Sequence, residues 1–276
     1  SCVEQPTLTN FINTMVALIL HTTILSALQI TTHGPPTTSW KRTQCGGPTG
    51  TADTPTKWAK QVSPTTPPLA EYPRPSLIRG SADRDHGNAS TWHTLNGLWE
   101  WEPSTSAKPP IGKKLASQIL VPFPIESCLS SVAPNASKYF VQRSWYRLEL
   151  SVSSAASAGS RQLLHFEAAN WMAAVYVNGK LLANHSGGYN RVTVEVTDAI
   201  KRASSSTSSS SAIELLVGVY NPADLGAQPN GKARISAIDK PGGDTYTPAS
   251  GLWQAVWMEE VPMQYIERLQ IGANTT

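Results

Sequence analysis

Glu259 and Glu260 stand side by side, and two carboxylates facing one bond can divide acid and base work between them. That division requires both groups on one surface. In the strand read over Leu252–Val261, neighbouring side chains point to opposite faces, so this pair diverges. No Gly-x-Ser-x-Gly turn is present to expose a serine nucleophile. Cys2, Cys45 and Cys128 are an odd set without metal-ligand spacing, and Cys128, among small and apolar residues, reads as a buried free thiol. No metal site and no cofactor are implied. Two histidines are ambiguous. His165 alternates with apolar residues and reads as a strand-face histidine, whereas His185 precedes Gly187-Gly188 and is a candidate ligand-binding group. Asp244 lies in the loop Pro241-Gly242-Gly243-Asp244, and Trp253 offers an indole face.

The elements that must position these groups are strands. Tyr146, Leu148, Leu150 and Val152 alternate with Arg147, Glu149 and Ser151, the period of a half-buried strand. Leu164-Phe166-Ala168 and Val192-Val194-Val196 repeat it. Ile213–Tyr220 is almost continuously apolar and predicts a central strand covered on both faces. Val175-Tyr176-Val177 meets Asn178-Gly179 and then Lys180-Leu181-Leu182. Both turn residues accept the positive φ of a type I′ hairpin. Pro122-Phe123-Pro124 reads as an extended edge segment, and Tyr265–Ile271 as a last strand. Helix is confined to a short turn at Thr197–Ala203. The fold class is therefore all-β, an antiparallel jelly-roll sandwich.

The remainder divides by composition. Residues 1–30 hold the apolar run Phe11–Ile30, broken by His21-Thr22-Thr23. It reads as a secretory signal, with a membrane anchor over residues 11–30 as the alternative. Thr31–Ala70, rich in Thr, Pro, Ser and Gly, reads as a disordered linker, leaving residues 71–272 for the folded domain. Four Asn-x-Ser/Thr sequons, at Asn88, Asn135, Asn184 and Asn274, add to the expectation of a secreted or extracellular glycoprotein. Net charge is +3 without a long basic run, which argues against nucleic acid as a partner.

In order along the chain come Tyr72-Pro73-Arg74-Pro75, Trp92-His93-Thr94-Leu95-Asn96-Gly97-Leu98-Trp99, and Val121-Pro122-Phe123-Pro124-Ile125-Glu126-Ser127. Trp145-Tyr146-Arg147, Val177-Asn178-Gly179-Lys180 and His185-Ser186-Gly187-Gly188-Tyr189 follow. The series ends at Tyr246-Thr247-Pro248-Ala249-Ser250-Gly251-Leu252-Trp253-Gln254-Ala255-Val256-Trp257. This set resembles the N-terminal sugar-binding-like (galactose-binding-like) domain of glycoside hydrolase family 2, the β-galactosidases, β-glucuronidases and β-mannosidases.

The resemblance implies hydrolysis of β-linked glycosides by two glutamates on a TIM barrel. That barrel follows the sandwich and an immunoglobulin-like domain. The acid/base glutamate of that family follows an asparagine, and these residues contain no Asn-Glu pair. The expectation is a non-catalytic N-terminal domain, inactive alone, whose barrel is absent from this chain. Asp244, His185 and Trp253 are the substrate-binding candidates, and no catalytic residue is assigned. Ala255 stands where β-galactosidase relatives carry an aspartate, which puts simple galactoside specificity in doubt. The alternative reading is a stand-alone, lectin-like carbohydrate-binding module.

Overall fold

A computed structural model describes residues 30–40, 56–66, 92–132, 140–152, 159–204, 212–238 and 241–273. The strands are β1 (Ile30–His33), β2 (Trp92–Thr94), β3 (Gly97–Pro103), β4 (Ser117–Val121), β5 (Arg143–Val152), β6 (Ser160–Phe166), β7 (Met172–Val177), β8 (Lys180–Ser186), β9 (Val192–Glu195), β10 (Ala212–Tyr220) and β11 (Val256–Pro262). Among the described residues one α-helix, α1 (Thr197–Ser204), lies between β9 and β10.

Two antiparallel sheets result. The larger runs β4-β3-β5-β10-β7-β8, with β1 added against β5, and the smaller runs β2-β11-β6-β9. The period-two pattern predicts which side chains fill the space between them. Tyr146, Leu148, Leu150, Leu215, Val217 and Val175 project from the larger sheet onto Leu164, Phe166, Val192, Val194, Val256 and Met258 of the smaller one. All are buried, and each contributes about 1.5–3 kcal/mol relative to exposure. Ile213 and Val196 are buried as expected, and β10 is central, paired with β5 and β7 along its length. The hairpin turns where predicted, with φ of +48° at Asn178 and +76° at Gly179.

Several expectations are corrected. Thr31–Ala70 is not wholly an unpacked linker. Ile30–His33 pairs with Glu149–Val152, Lys57–Gln61 forms a 3-10 turn, and a Cβ on Gly34 would lie 2.1 Å from the Leu98 carbonyl oxygen. The free edge of β5 beyond β3 supplies the ladder partners that the composition of this segment conceals. Cys128 is not a free thiol but disulfide-bonded. The proline-rich segment after β4 is a turn, with Phe123 N donating to Leu120 O at 3.1 Å. Tyr265–Ile271 forms no strand, and β11 starts only at Val256, so Trp253 lies before it rather than on its face. Asn88, Asn135, Asn274, Tyr72-Pro73-Arg74-Pro75 and all of Phe11–Ile30 except Ile30 lie outside the described residues.

Candidate functional site

The motif segments, distant in sequence, meet at one end of the sandwich around Gly251. Gly251 exchanges backbone hydrogen bonds with Asn170, 3.0 Å from Asn170 N to Gly251 O and 3.1 Å in return. Asn170 Nδ2 donates to Ala249 O at 2.7 Å. Ile125 N donates to Ser250 O at 3.0 Å, and Ser250 N donates to Glu126 Oε2 at 2.8 Å. Asn221 Nδ2 reaches Ser250 Oγ at 2.9 Å, and Leu252 N points at Tyr146 Oη at 3.4 Å. Glycine is required here: φ is +89°, and a Cβ would stand 2.0 Å from Tyr146 Oη. Burial raises the carboxyl pKa of Glu126 against the pull of the Ser250 hydrogen bonds. Burial also raises the Tyr146 phenol above its ordinary value, with Glu126 adding to the rise, so the ring stays neutral.

Two of the three binding candidates flank the adjoining Gly187-Gly188 corner. Trp253 Nε1 donates to Gly188 O at 2.8 Å, and the His185 ring packs near Gly187. Gly188 permits this approach, since a Cβ there would lie 2.6 Å from Asn170 Oδ1. Tyr189, 81% exposed, stands edge-on to Trp253 with ring centroids 5.7 Å apart. Together they form an exposed aromatic edge beside the corner. Asp244 is brought to neither. It sits exposed in the tight turn Gly242–Thr245, and no hydrogen bond or ring contact links it to His185 or Trp253.

The outer face of the smaller sheet carries a buried polar row. His165 Nδ1 lies 2.9 Å from Thr193 Oγ1, and Nε2 lies 3.1 Å from Glu259 Oε1. The His165 ring stacks on Trp257 at 4.1 Å, and Trp257 Nε1 donates to Glu167 Oε1 at 2.7 Å. Arg191 closes the row with two 3.1 Å bonds to Glu167. Glu259 is fully buried while Glu260 is half-buried on the other face, so the adjacent carboxylates diverge as period two requires.

A second carboxylate group escapes sequence reasoning. Arg147 donates to Glu214 at 2.8 Å, to Glu100 at 3.1 Å, and to Glu149. Burial opposes its charge, but the Glu214 and Glu149 hydrogen bonds and the field of Glu100 outweigh it and raise its pKa. Gly112 N donates to Glu214 and Leu115 N to Glu100, so these carboxylates fasten the 104–116 loop to the sheet. With their oxygens so committed, the group is a structural clamp. The polar alternation Arg147-x-Glu149 was its visible signal, but only strand register brings in Glu100 and Glu214.

Residues 131–230 match the family described as glycosyl hydrolase 2 galactose-binding domain-like. Over that stretch the chain is similar to the galactose-binding-like domains of glycoside hydrolase family 2. The matched stretch contains β5 to β10, four of the seven strands of the larger sheet and two of the four of the smaller. A Formosa agariphila protein named as a β-glucuronidase is 29% identical over 128 residues, which are 46% of this chain and 13% of that protein. The chain therefore spans a small part of the length of the relative it matches. A Bacteroides uniformis β-glucuronidase structure is 22% identical, covering 62% of this chain and 18% of its own, with a TM-score of 0.44. A Lactobacillus rhamnosus β-glucuronidase structure is 18% identical, covering 68% and 30%, with a TM-score of 0.46.

Proposed function

We propose that this domain is the N-terminal supporting module of a secreted β-glycosidase. Its immunoglobulin-like domain and catalytic barrel are supplied outside these 276 residues. The observation that carries the reading is the family match over residues 131–230, which contain β5 to β10 of the sandwich. Its role is to present the Gly251 corner to a sugar pocket built elsewhere. Trp253, Tyr189 and His185 shape one wall, and Asp244 is available on the exposed loop beyond them. Retaining hydrolysis needs two carboxyls about 5 Å apart on either side of the scissile bond. Glu100 and Glu214 are committed to Arg147 and to backbone amides, which supports a non-catalytic role for that group. The disulfide at Cys128 supports an oxidising, secretory route, because such bonds persist there.

The exposed Tyr189–Trp253 pair favours a second reading, a stand-alone carbohydrate-binding module. Two measurements separate them. The purified chain is assayed on chromogenic β-glucuronides, β-galactosides and β-mannosides, with Glu259→Gln and Asp244→Asn beside it, and is tested for binding on a glycan array. The reading expects no turnover, no tight glycan binding, and a gene whose frame continues into a barrel with an Asn-Glu pair. Turnover lost in either variant would overturn the supporting role, and a stop codon combined with specific glycan binding would establish the second reading.

A further inference from the structure

We infer that Asn184 is an N-glycosylation site whose first N-acetylglucosamine lies in a groove on the outer face of the larger sheet. The inference rests on the secretory reading above and goes beyond it by naming the residue and the seat. Asn184 opens the sequon Asn184-His185-Ser186 on β8, an edge strand paired only with β7 in the sheet order, and it is exposed. Its neighbours across the sheet are Ala174, then Gly218, then Trp145, so these four form one row on the outer face. The Trp145 ring lies over Gly218, where a Cβ would stand 2.6 Å from it, so Ala174 alone separates the attachment point from the indole. All four residues line a groove of about 370 Å³, at the lower end of the range for small-molecule sites. Its walls mix apolar, aromatic and polar groups. Tyr220, Met172 and Arg143 lie to one side of the row, Tyr176 to the other, and Asn184 itself is among the lining residues.

The occupant follows from that placement. The N-acetyl group and one pyranose face of the first sugar are the apolar surfaces of an N-glycan, and they are delivered within a residue's reach of this groove. Met172 is 46% exposed and Tyr220 half-exposed, so the groove presents apolar surface to water until something covers it. A glycan seated here also blocks the open edge of β8, where an unpaired ladder invites pairing with another chain.

The test uses the full chain expressed in a eukaryotic secretory host behind a cleavable host leader. Entry to the pathway is then assured, and a failure at Asn184 is distinct from a failure of the native N-terminus to direct secretion. Glycopeptide mass spectrometry is expected to find Asn184 occupied, and Ser186→Ala to abolish that occupancy while the protein remains folded. Ala174→Leu fills the groove without touching the sequon. Peptide N-glycosidase F is expected to release the Asn184 glycan from the native protein about tenfold more slowly than from Ala174→Leu. That is the protection from burying roughly 50–60 Å² of apolar sugar surface. The N-acetyl methyl resonance should be displaced upfield by the rings in the parent and not in Ala174→Leu. An unoccupied Asn184, or an occupied one released at the same rate from both proteins with an unshifted methyl, overturns the inference.

Discussion

Replacing Gly251 by alanine tests whether the motif corner is held as the structure describes. The new methyl meets three penalties. A non-glycine residue at φ +89° carries about 1–3 kcal/mol of backbone strain. The methyl would stand 2.0 Å from Tyr146 Oη and 3.2 Å from Ile125 Cγ1, and overpacking of that kind costs about 1–3 kcal/mol. Displacing the Tyr146 hydroxyl also removes the acceptor of Leu252 N, at about 1 kcal/mol because the bond is long at 3.4 Å. Since these losses overlap, the expected destabilisation is about 3–6 kcal/mol, against a typical domain stability of about 5–15 kcal/mol. Urea unfolding followed by tryptophan fluorescence measures it, and the thermal midpoint should fall by about 6–24 °C. Tyr146→Phe is the diagnostic partner, because it deletes the clashing oxygen and leaves the backbone strain. The double variant should be more stable than the sum of the single losses by about 1–2 kcal/mol. A Gly251→Ala protein within about 0.5 kcal/mol of the parent, or a strictly additive double variant, would refute the packing argument.

Two further outcomes follow from charges. The folded pKa of Glu126 is raised by burial, so its contribution is fully present below the ordinary carboxyl pKa and is lost as pH rises through the folded value. Glu126→Gln should therefore match the parent near pH 4 and exceed it in urea unfolding at pH 7, and parallel pH profiles would contradict this. Arg147→Met leaves Glu100, Glu149 and Glu214 facing one another without their cation. It should cost about 3–5 kcal/mol in urea unfolding at pH 7. A loss below 1 kcal/mol at pH 7 would show that the clamp is dispensable.

What the sequence by itself determined is the local physics. Side-chain alternation has the period of the pleat, so Leu148, Phe166, Val192, Val194 and Val217 were legible as core residues before any partner strand was known. Asn178-Gly179 was legible as a turn because only its own two φ angles matter there. The divergence of Glu259 and Glu260 followed from the same alternation. The ordered motifs were legible as a family resemblance, but not as a place. That Glu126, Tyr146, Asn170 and Ser250 meet around one glycine depends on which strands pair and in what register. Those contacts join residues up to 124 positions apart, and no short window contains them. The same limit hid the Arg147 clamp, whose Glu214 lies 67 residues away, and the strand made by Ile30–His33, whose Thr-rich composition said nothing of a waiting edge. It separated Trp257, sealed against His165, from Trp253, half-exposed beside Tyr189, although both read alike in sequence. It also turned Cys128 from an expected thiol into half of a disulfide, since a cysteine's partner is chosen by proximity in space.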